Sequence, residues 1–481
     1  MAEEIALVPA ATEVVTGGAR TEILTGGARS RPPVKPPIFV TGSILRHILV
    51  MTGTGAIGLM AIFAGDLANM YFLSRAGDEA LVAAVGYASS ILFFTTSIGI
   101  GLAIATSALV SPALGAGLRV RARRLTANAH LLAFAISSVL ALLVWSSVGP
   151  LLTLFGATGR TYALAAHYLS ILVPTLPLLA LGMTSSAVMR SVGDARRAMN
   201  ITLSGAIVNT ILDIIFILYL NWGIEGAAYA TALARIVVMG IGLYGVMAVH
   251  DLMGRPKLAT FGKDLPAFLA VAVPAVLTNV ATPVANAYVT AAIAPFGDGA
   301  VAGWAIIGRI IPVAYGAVYA LTGVVGPVLG QNLGARQAAR MRGTLTQSLL
   351  VMCAFTAIAW AILAIVAEPL AGAFHASVEA QHLIVLFCRW LSPLFVFLGA
   401  LFVANAAFNT LGQAHYSTML NWGRATLGTV PFVMAGGKMG GAAGVLTGNM
   451  LGAIVFGSLG VWLSYRLIDE ISFKINAGPA R

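Results

Sequence analysis

Residues Arg190–Arg235 read RSVGDARRAMNITLSGAIVNTILDIIFILYLNWGIEGAAYATALAR. The stretch holds a polar turn, Gly193-Asp194-Ala195-Arg196-Arg197, then an apolar run, a short break at Asn221-Trp222-Gly223, and a second apolar run. Runs of about 20 apolar residues separated by short polar breaks are the pattern of helices that cross a bilayer and return. Inside the first run stand Asn209 and Asp213. Four residues apart on a helix, they share one face, one turn above the other. A carboxylate inside a span costs roughly 2.5–3.5 kcal/mol on an insertion scale, so its presence points to function.

The rest of the chain agrees with a membrane setting. Of its 481 residues, 59% are hydrophobic and 9% charged, and the mean hydropathy is +0.91. Soluble domains carry about 25% charged residues. A net charge of +11 would suggest nucleic acid in a soluble protein. Here the basic residues fall in short loops between apolar runs, so they report topology, and no nucleic-acid partner is expected. Cys353 and Cys388 both lie in apolar runs and form neither a disulfide framework nor a metal-ligand spacing.

Twelve candidate spans follow, at 45–73, 80–110, 125–147, 161–188, 198–220, 224–249, 265–294, 300–329, 344–366, 379–408, 416–435 and 441–465. An even number puts both termini on one side. With the N-terminus inside, the outer loops hold only Arg75, Arg160 and Lys438 of the 28 Lys and Arg. The positive-inside rule then predicts a multi-pass protein of the plasma (bacterial inner) membrane with both termini cytoplasmic. Residues 1–40 are polar and rich in Gly and Pro, with the near-repeat Thr12–Arg20 and Thr21–Arg29, and read as a disordered cytoplasmic tail. Glu3 and Glu4, with no basic region before an apolar core, argue against a cleaved signal peptide.

The chain repeats itself. Pro112-Ala-Leu-Gly115 recurs as Pro327-Val-Leu-Gly330, Ala68-Asn69-Met-Tyr71 as Ala285-Asn286-Ala-Tyr288, Arg190-Ser-Val-Gly193 as Asn409-Thr-Leu-Gly412, and Gly226-Ala-Ala228 as Gly441-Ala-Ala443. The matches run in order at offsets of 215 to 219 residues. They predict an all-α integral membrane fold of twelve helices in two pseudo-symmetric six-helix lobes, 41–250 and 265–466, related by an axis along the membrane normal. A cytoplasmic loop, 251–264, joins the lobes, and 467–481 forms a cytoplasmic C-terminal tail.

Five stretches carry a resemblance: Gly77-Asp-Glu-Ala-Leu-Val-Ala-Ala-Val-Gly86, Ala108-Leu-Val-Ser-Pro-Ala-Leu-Gly-Ala-Gly117, Met189-Arg-Ser-Val-Gly-Asp194, Asn209-Thr-Ile-Leu-Asp213 and Gly226-Ala-Ala-Tyr-Ala-Thr231. Together they resemble the multidrug and toxic compound extrusion (MATE) family across 40–466, and its DinF-like branch in particular. The resemblance implies a V-shaped pair of bundles, alternating access, and export driven by inward H⁺ or Na⁺. It implies a cation site in the N-terminal lobe built from an Asp of the first helix, the Asn and Asp of the fifth and the Thr of the sixth. Asn209, Asp213 and Thr231 match position by position. The first helix departs from the pattern: the family's Asp position is Asn69 here, and the acid is Asp66, one turn earlier. The cation-coupling set is therefore Asp66, Asn69, Asn209, Asp213 and Thr231.

By residue count Asp66, Asn69, Asp213 and Thr231 lie at matched depth, roughly 6–11 Å below the outer surface. Such a setting suits a proton, because burial favours the neutral carboxyl. Oxygens of Asn209 and Thr231 would equally serve Na⁺, a hard cation, so coupling to H⁺ or Na⁺ stays open. No other metal and no cofactor are expected. Arg235, one turn from Thr231, offers a competing reading in which it holds Asp213 as a permanent structural ion pair.

The C-terminal lobe has the opposite character. Its spans carry Arg309, Arg389 and Arg424 with almost no acid, accompanied by aromatics. Tyr288, Arg309, Tyr315, Arg389 and Phe402 are candidates for a substrate cavity, against the plainer reading that they pack or snorkel. No H-E-x-x-H motif and no phosphate-binding loop is present, so the chain reads as neither an enzyme nor an ATP-driven pump. The expected function is antiport of amphiphilic or cationic drugs or metabolites by a monomer in a lipid bilayer. A lipid-linked intermediate or polysaccharide flippase is the alternative.

Overall fold

The apolar runs become helices that outlast them. A computed structural model of the chain describes residues 37–75, 79–255, 258–374 and 377–477. The near-repeat of the N-terminal tail, Gly77 and Asp78 of the motif quoted above, Pro256 and Lys257 of the inter-lobe loop, and residues 478–481 lie outside the described residues. In chain order the helices are α1 (Ile44–Arg75), α2 (Glu79–Gly115), α3 (Arg119–Ser146), α4 (Gly159–Val192), α5 (Ala195–Tyr219), α6 (Gly223–Val249), α7 (Leu258–Ile293), α8 (Asp298–Ala314 and Gly316–Gly334), α9 (Ala338–Ala373) and α10 (Val378–Thr410), followed by the run Ala414–Asn476. Among the described residues there is no strand. Hydropathy marks where a helix meets hydrocarbon, not where it ends. Thus α3 starts at Arg119 rather than near 125, carrying Arg121, Arg123 and Arg124 on helical backbone.

The last run spans 63 residues. As one rod it would be about 95 Å long, three times the roughly 30 Å of a bilayer core. It folds back at Gly440 (φ −141°, ψ 22°) and Gly441 (φ 58°, ψ −141°). The two arms, α11 (residues 414–440) and α12 (residues 441–476), then pack antiparallel with almost no gap. A Cβ on Gly444 would stand 1.9 Å from Gly436 O, one on Gly448 2.2 Å from Phe432 O, and one on Gly452 1.4 Å from Gly428 O. With α8 bent by 51° between its two parts, this makes twelve spans among the described residues.

The halves repeat in detail. α4 is broken at Val173–Thr175 around Pro174, and α10 at Ser392–Leu394 around Pro393. Gly193 (φ 86°) and Gly412 (φ 78°) turn the chain out of those two helices in left-handed conformations. Each pair is 219 residues apart, matching the offset read from the sequence.

One end of the bundle, here termed the terminal face, carries both Pro37 and the close of α12, where Asp469 pairs with Arg342. There the lobes meet along α2 and α8. A Cβ on Gly115 would fall 2.0 Å from Gln331 O, and one on Gly334 2.0 Å from Pro112 O. Close approach of this kind is how membrane helices gain van der Waals contact without a hydrophobic driving force. Residues Ile38–Val40 form a short turn across this seam. Phe39 is 1% exposed; its N–H donates to Gln331 Oε1 (2.9 Å), and its carbonyl accepts from Arg340 Nη2 (2.7 Å). Gln331 Nε2 donates in turn to Ser191 O (2.7 Å).

Charged groups tie the same face. Arg124 donates to both oxygens of Asp264 (3.0 and 3.1 Å), and Asn128 adds a third bond (2.8 Å), joining α3 to α7. Asp194 caps α5 through Arg197 N (3.1 Å) and meets Arg197 Nη1 (2.5 Å) and His250 Nε2 (2.9 Å). The His250 bond and the Arg197 contacts hold the Asp194 carboxyl well below the usual carboxylate range. A depressed carboxylate contributes stability present above its unfolded value, about 3.9, and lost as pH falls through the folded value.

Two outcomes follow from this packing. Gly452→Val should lower the melting temperature sharply, by at least the ~1–3 kcal/mol of an overpacked core. Gly372→Ala, whose Cβ would meet nothing within 4 Å, should change little. An acid titration of thermal stability should show a flatter low-pH limb for Asp194→Asn than for the wild type; identical limbs would remove Asp194 from the clasp.

Candidate functional site

α5 lies between α1 and α6, and its register places Asn209 and Asp213 inward toward them. Directly after Asp213 the helix widens into a π-helical segment, Ile214–Tyr219. Such segments are uncommon and gather at functional sites. Asp213 is fully buried. Its Oδ2 accepts two amide bonds, from Asn69 Nδ2 on α1 (3.0 Å) and from Asn209 Nδ2 one turn earlier on α5 (2.8 Å). Its Oδ1 is shut away from solvent and has no hydrogen-bond partner. An unpaired buried polar atom costs about 1–3 kcal/mol, more when charged, which makes Oδ1 the least satisfied atom of the cluster.

The structure brings together most of the set expected here. Asn69, at the position where the family motif has Asp, is the α1 residue that bonds Asp213. Asp66 stands one turn away, on the exposed side of α1, near enough for its charge to act on Asp213. Thr231 does not bond Asp213 directly. It lies beside Tyr168 of α4, a buried side chain that also feels the charges of Asp66, Asp213 and Arg235. Tyr168 bridges the cluster to α4, and sequence reasoning missed it. One tyrosine in an apolar span has no spacing that marks it.

Arg235 does not lock Asp213. Its Nη1 donates to Leu172 O (3.0 Å) and Thr175 Oγ1 (2.7 Å). The tight turn at Val173–Thr175 bonds Leu176 N to Val173 O, which frees the Leu172 carbonyl to take the guanidinium. The competing ion-pair reading is therefore corrected: the break in α4 satisfies the charge, leaving Asp213 without a cationic partner in that side chain.

The second-lobe residues scatter. Tyr315 is fully buried, stacks on Phe395 (3.9 Å) and donates to Ser392 O (2.7 Å), so it braces the breaks of α8 and α10. Arg389 is exposed and pairs with Glu368 (2.8 Å), an acid at the end of α9. Arg309 is exposed, and Tyr288 is half-buried against the second-lobe core. Phe402 lies 5.5 Å from the ring of Tyr319, which neighbours Arg424. Phe402 and Arg424, rather than Arg309 and Arg389, mark the polar interior of this lobe.

Twelve apolar helices in two related halves, with a polar cluster buried inside one of them, define a multi-pass membrane transporter. The family model MatE matches residues 56–215 and again 274–435, once in each half, and the chain belongs to that family, whose members are transporters and not enzymes. The chain is similar to the FAD transporter of Shewanella oneidensis, 28% identical over 438 residues, 90% of this chain and 97% of that one. It is also similar to the multidrug export protein MepA of Staphylococcus saprophyticus, 20% identical over 439 residues, 90% of this chain and 96% of that one. Among solved structures, the MATE transporter VcmN of Vibrio cholerae superposes with a TM-score of 0.85 at 25% identity, covering 89% of this chain and 98% of that one. An outward-facing MATE family transporter of the MOP superfamily shares the fold with a TM-score of 0.84 at 22% identity, covering 91% and 99%.

A double-mutant cycle on thermal unfolding checks the cluster. Asn69→Ala with Asp213→Asn should return a coupling of about 0.5–3 kcal/mol, whereas Arg235→Ala with Asp213→Asn should return almost none.

Proposed function

We propose that this chain is a proton-coupled antiporter that exports amphiphilic small molecules by alternating access, with Asp213 as the group that gains and loses the proton. The single observation behind the reading is the unpartnered Oδ1 of Asp213. Both neighbouring amides present N–H to Oδ2, which suits a carboxylate. A proton on Oδ1 removes the uncompensated charge at this buried position without moving either amide. The same amides turn donors rather than oxygens toward the site, which disfavours Na⁺, since a hard cation needs a shell of oxygen ligands. Asp66, on the exposed side of α1, is the second carboxylate along the proton's route, and Tyr168 with Thr231 carries the arrangement across to α4 and α6.

The terminal face holds the arginines around Arg119, Arg196, Arg336 and Arg466, and the positive-inside rule puts it in the cytoplasm. Its seam, sealed by Gly115 and Gly334, supports a state closed to the cytoplasm and open to the far side. The two named relatives, an FAD transporter and a multidrug export protein, bracket the class of cargo.

Two measurements test the assignment. In vesicles holding separate H⁺ and Na⁺ gradients, dye efflux should follow the proton gradient, and Asp213→Asn should lose it. Independently of any substrate, infrared spectra should show a carboxylic-acid C=O band that titrates in the wild type and is missing in Asp213→Asn. Sodium-driven efflux, or a band that survives the substitution, rejects Asp213 as the proton carrier.

A further inference from the structure

The second lobe contains a buried cation with no counter-charge. Arg424 on α11 is 6% exposed. Among the described residues its guanidinium makes one hydrogen bond, from Nη2 to Thr282 Oγ1 of α7, long at 3.2 Å. Its Nε is closed off from solvent and bonds to nothing. Of the acids of this half, Asp264 pairs with Arg124, Glu368 with Arg389, Asp469 with Arg342 and Glu470 with Arg466, while Asp298 and Glu379 stand in the first turns of α8 and α10. Among the described residues no carboxylate pairs with Arg424.

What faces it is aromatic. Tyr319 on α8 lies close enough for its hydroxyl to interact electrostatically with the guanidinium. Phe402 of α10 sits 5.5 Å from the Tyr319 ring and Phe395 6.2 Å from it. Four helices, α7, α8, α10 and α11, thus converge on one guanidinium and a ring wall. A buried ion without its partner costs several kcal/mol. Arginine does not escape that cost by releasing its proton, and its planar fork matches carboxylate, sulfonate and phosphate oxygens. One turn along α8 from Tyr319, Gly323 lies against the guanidinium stem of Arg190, which comes from the first lobe and bonds only Ser186 among side chains. Both lobes therefore present a cation to the same helix, buried at Arg424 and half-buried at Arg190.

We propose that Arg424, with Thr282 and Tyr319, binds the anionic group of the transported molecule while Phe402 and Tyr319 hold its apolar ring system, so the cargo class is the amphiphilic anion. This rests on the transporter reading above but not on its coupling ion. The lobes divide the labour by sign: the first holds the acid and the second the base.

The test is equilibrium binding to the full chain in phosphatidylcholine nanodiscs with no ion gradient, so it stands apart from the assignment of Asp213. The probes are a matched fluorescent pair, 1-pyrenesulfonate and a pyrenylmethyl trimethylammonium, read by anisotropy. The sulfonate should bind at least tenfold more tightly than the ammonium, and Arg424→Gln should weaken it by roughly ten- to a hundredfold, the range of a lost hydrogen bond to a charged group. Arg424→Lys should recover part of the loss, and the ammonium should be indifferent to both. Should Arg424→Gln fail to fold, thermal stabilisation of the wild type by the sulfonate and not by the ammonium decides. Tighter binding of the ammonium, or equal sulfonate binding by Arg424→Gln, overturns the proposal. So does displacement of the sulfonate by added phosphatidylglycerol, which would make the site a lipid-headgroup contact.

Discussion

A charge surrounded by hydrocarbon must find a partner inside the protein, change its protonation, or wait for one to arrive. Most charged side chains in the spans take the first course. Arg235 uses a carbonyl released by the break in α4, Arg389 uses Glu368, and Arg190 reaches Ser186. Two do not. Asp213 leaves one oxygen bare in the first lobe, and Arg424 leaves one nitrogen bare in the second. The polar design of the molecule is organised around these opposite deficits.

The helices allow this because their packing elsewhere is close. Glycines at the α2–α8 seam and along the α11–α12 hairpin bring backbones into direct contact. Breaks at Pro174 and Pro393 recur in both halves and give the bundle its bent members. Rigid seams and local breaks have different consequences. The α11–α12 seam stiffens the second lobe, the α2–α8 seam closes the two lobes on each other, and breaks release carbonyls and widen turns where polar side chains can enter. Asp213, at the entry to a π-helical turn, stands at such a place.

Much of this was legible beforehand because a membrane simplifies the code. Span number, the twin halves and the positions of Asn209 and Asp213 follow from apolar periodicity, loop charge and an internal offset, and the fold agrees. Helix ends were not legible: hydropathy stops at the headgroups while hydrogen bonding carries on, as at Arg119. Partner choice was not legible either. Arg235 and Thr231 share a helical face with a separation of one turn, yet the broken α4 takes the arginine while Thr231 lies beside Tyr168. Of the second-lobe arginines, sequence could not say that Arg389 has Glu368 beside it whereas Arg424 has only a hydroxyl. Tertiary neighbours decide that, and no local spacing encodes them.

The turn at Phe39 has a mechanical side. Its hydrogen bonds go to Gln331, Asn332 and Arg340, all in the second half, and Arg340 also holds the carbonyls of Thr41 and Gly42. Two residues later α1 begins, and that helix delivers Asn69 to Asp213 in the first half. The root of α1 is thus moored to one body while its outer portion serves the other. Any widening of the terminal face strains this mooring line, and the tension runs along a continuous helix to the amide that grips the carboxylate.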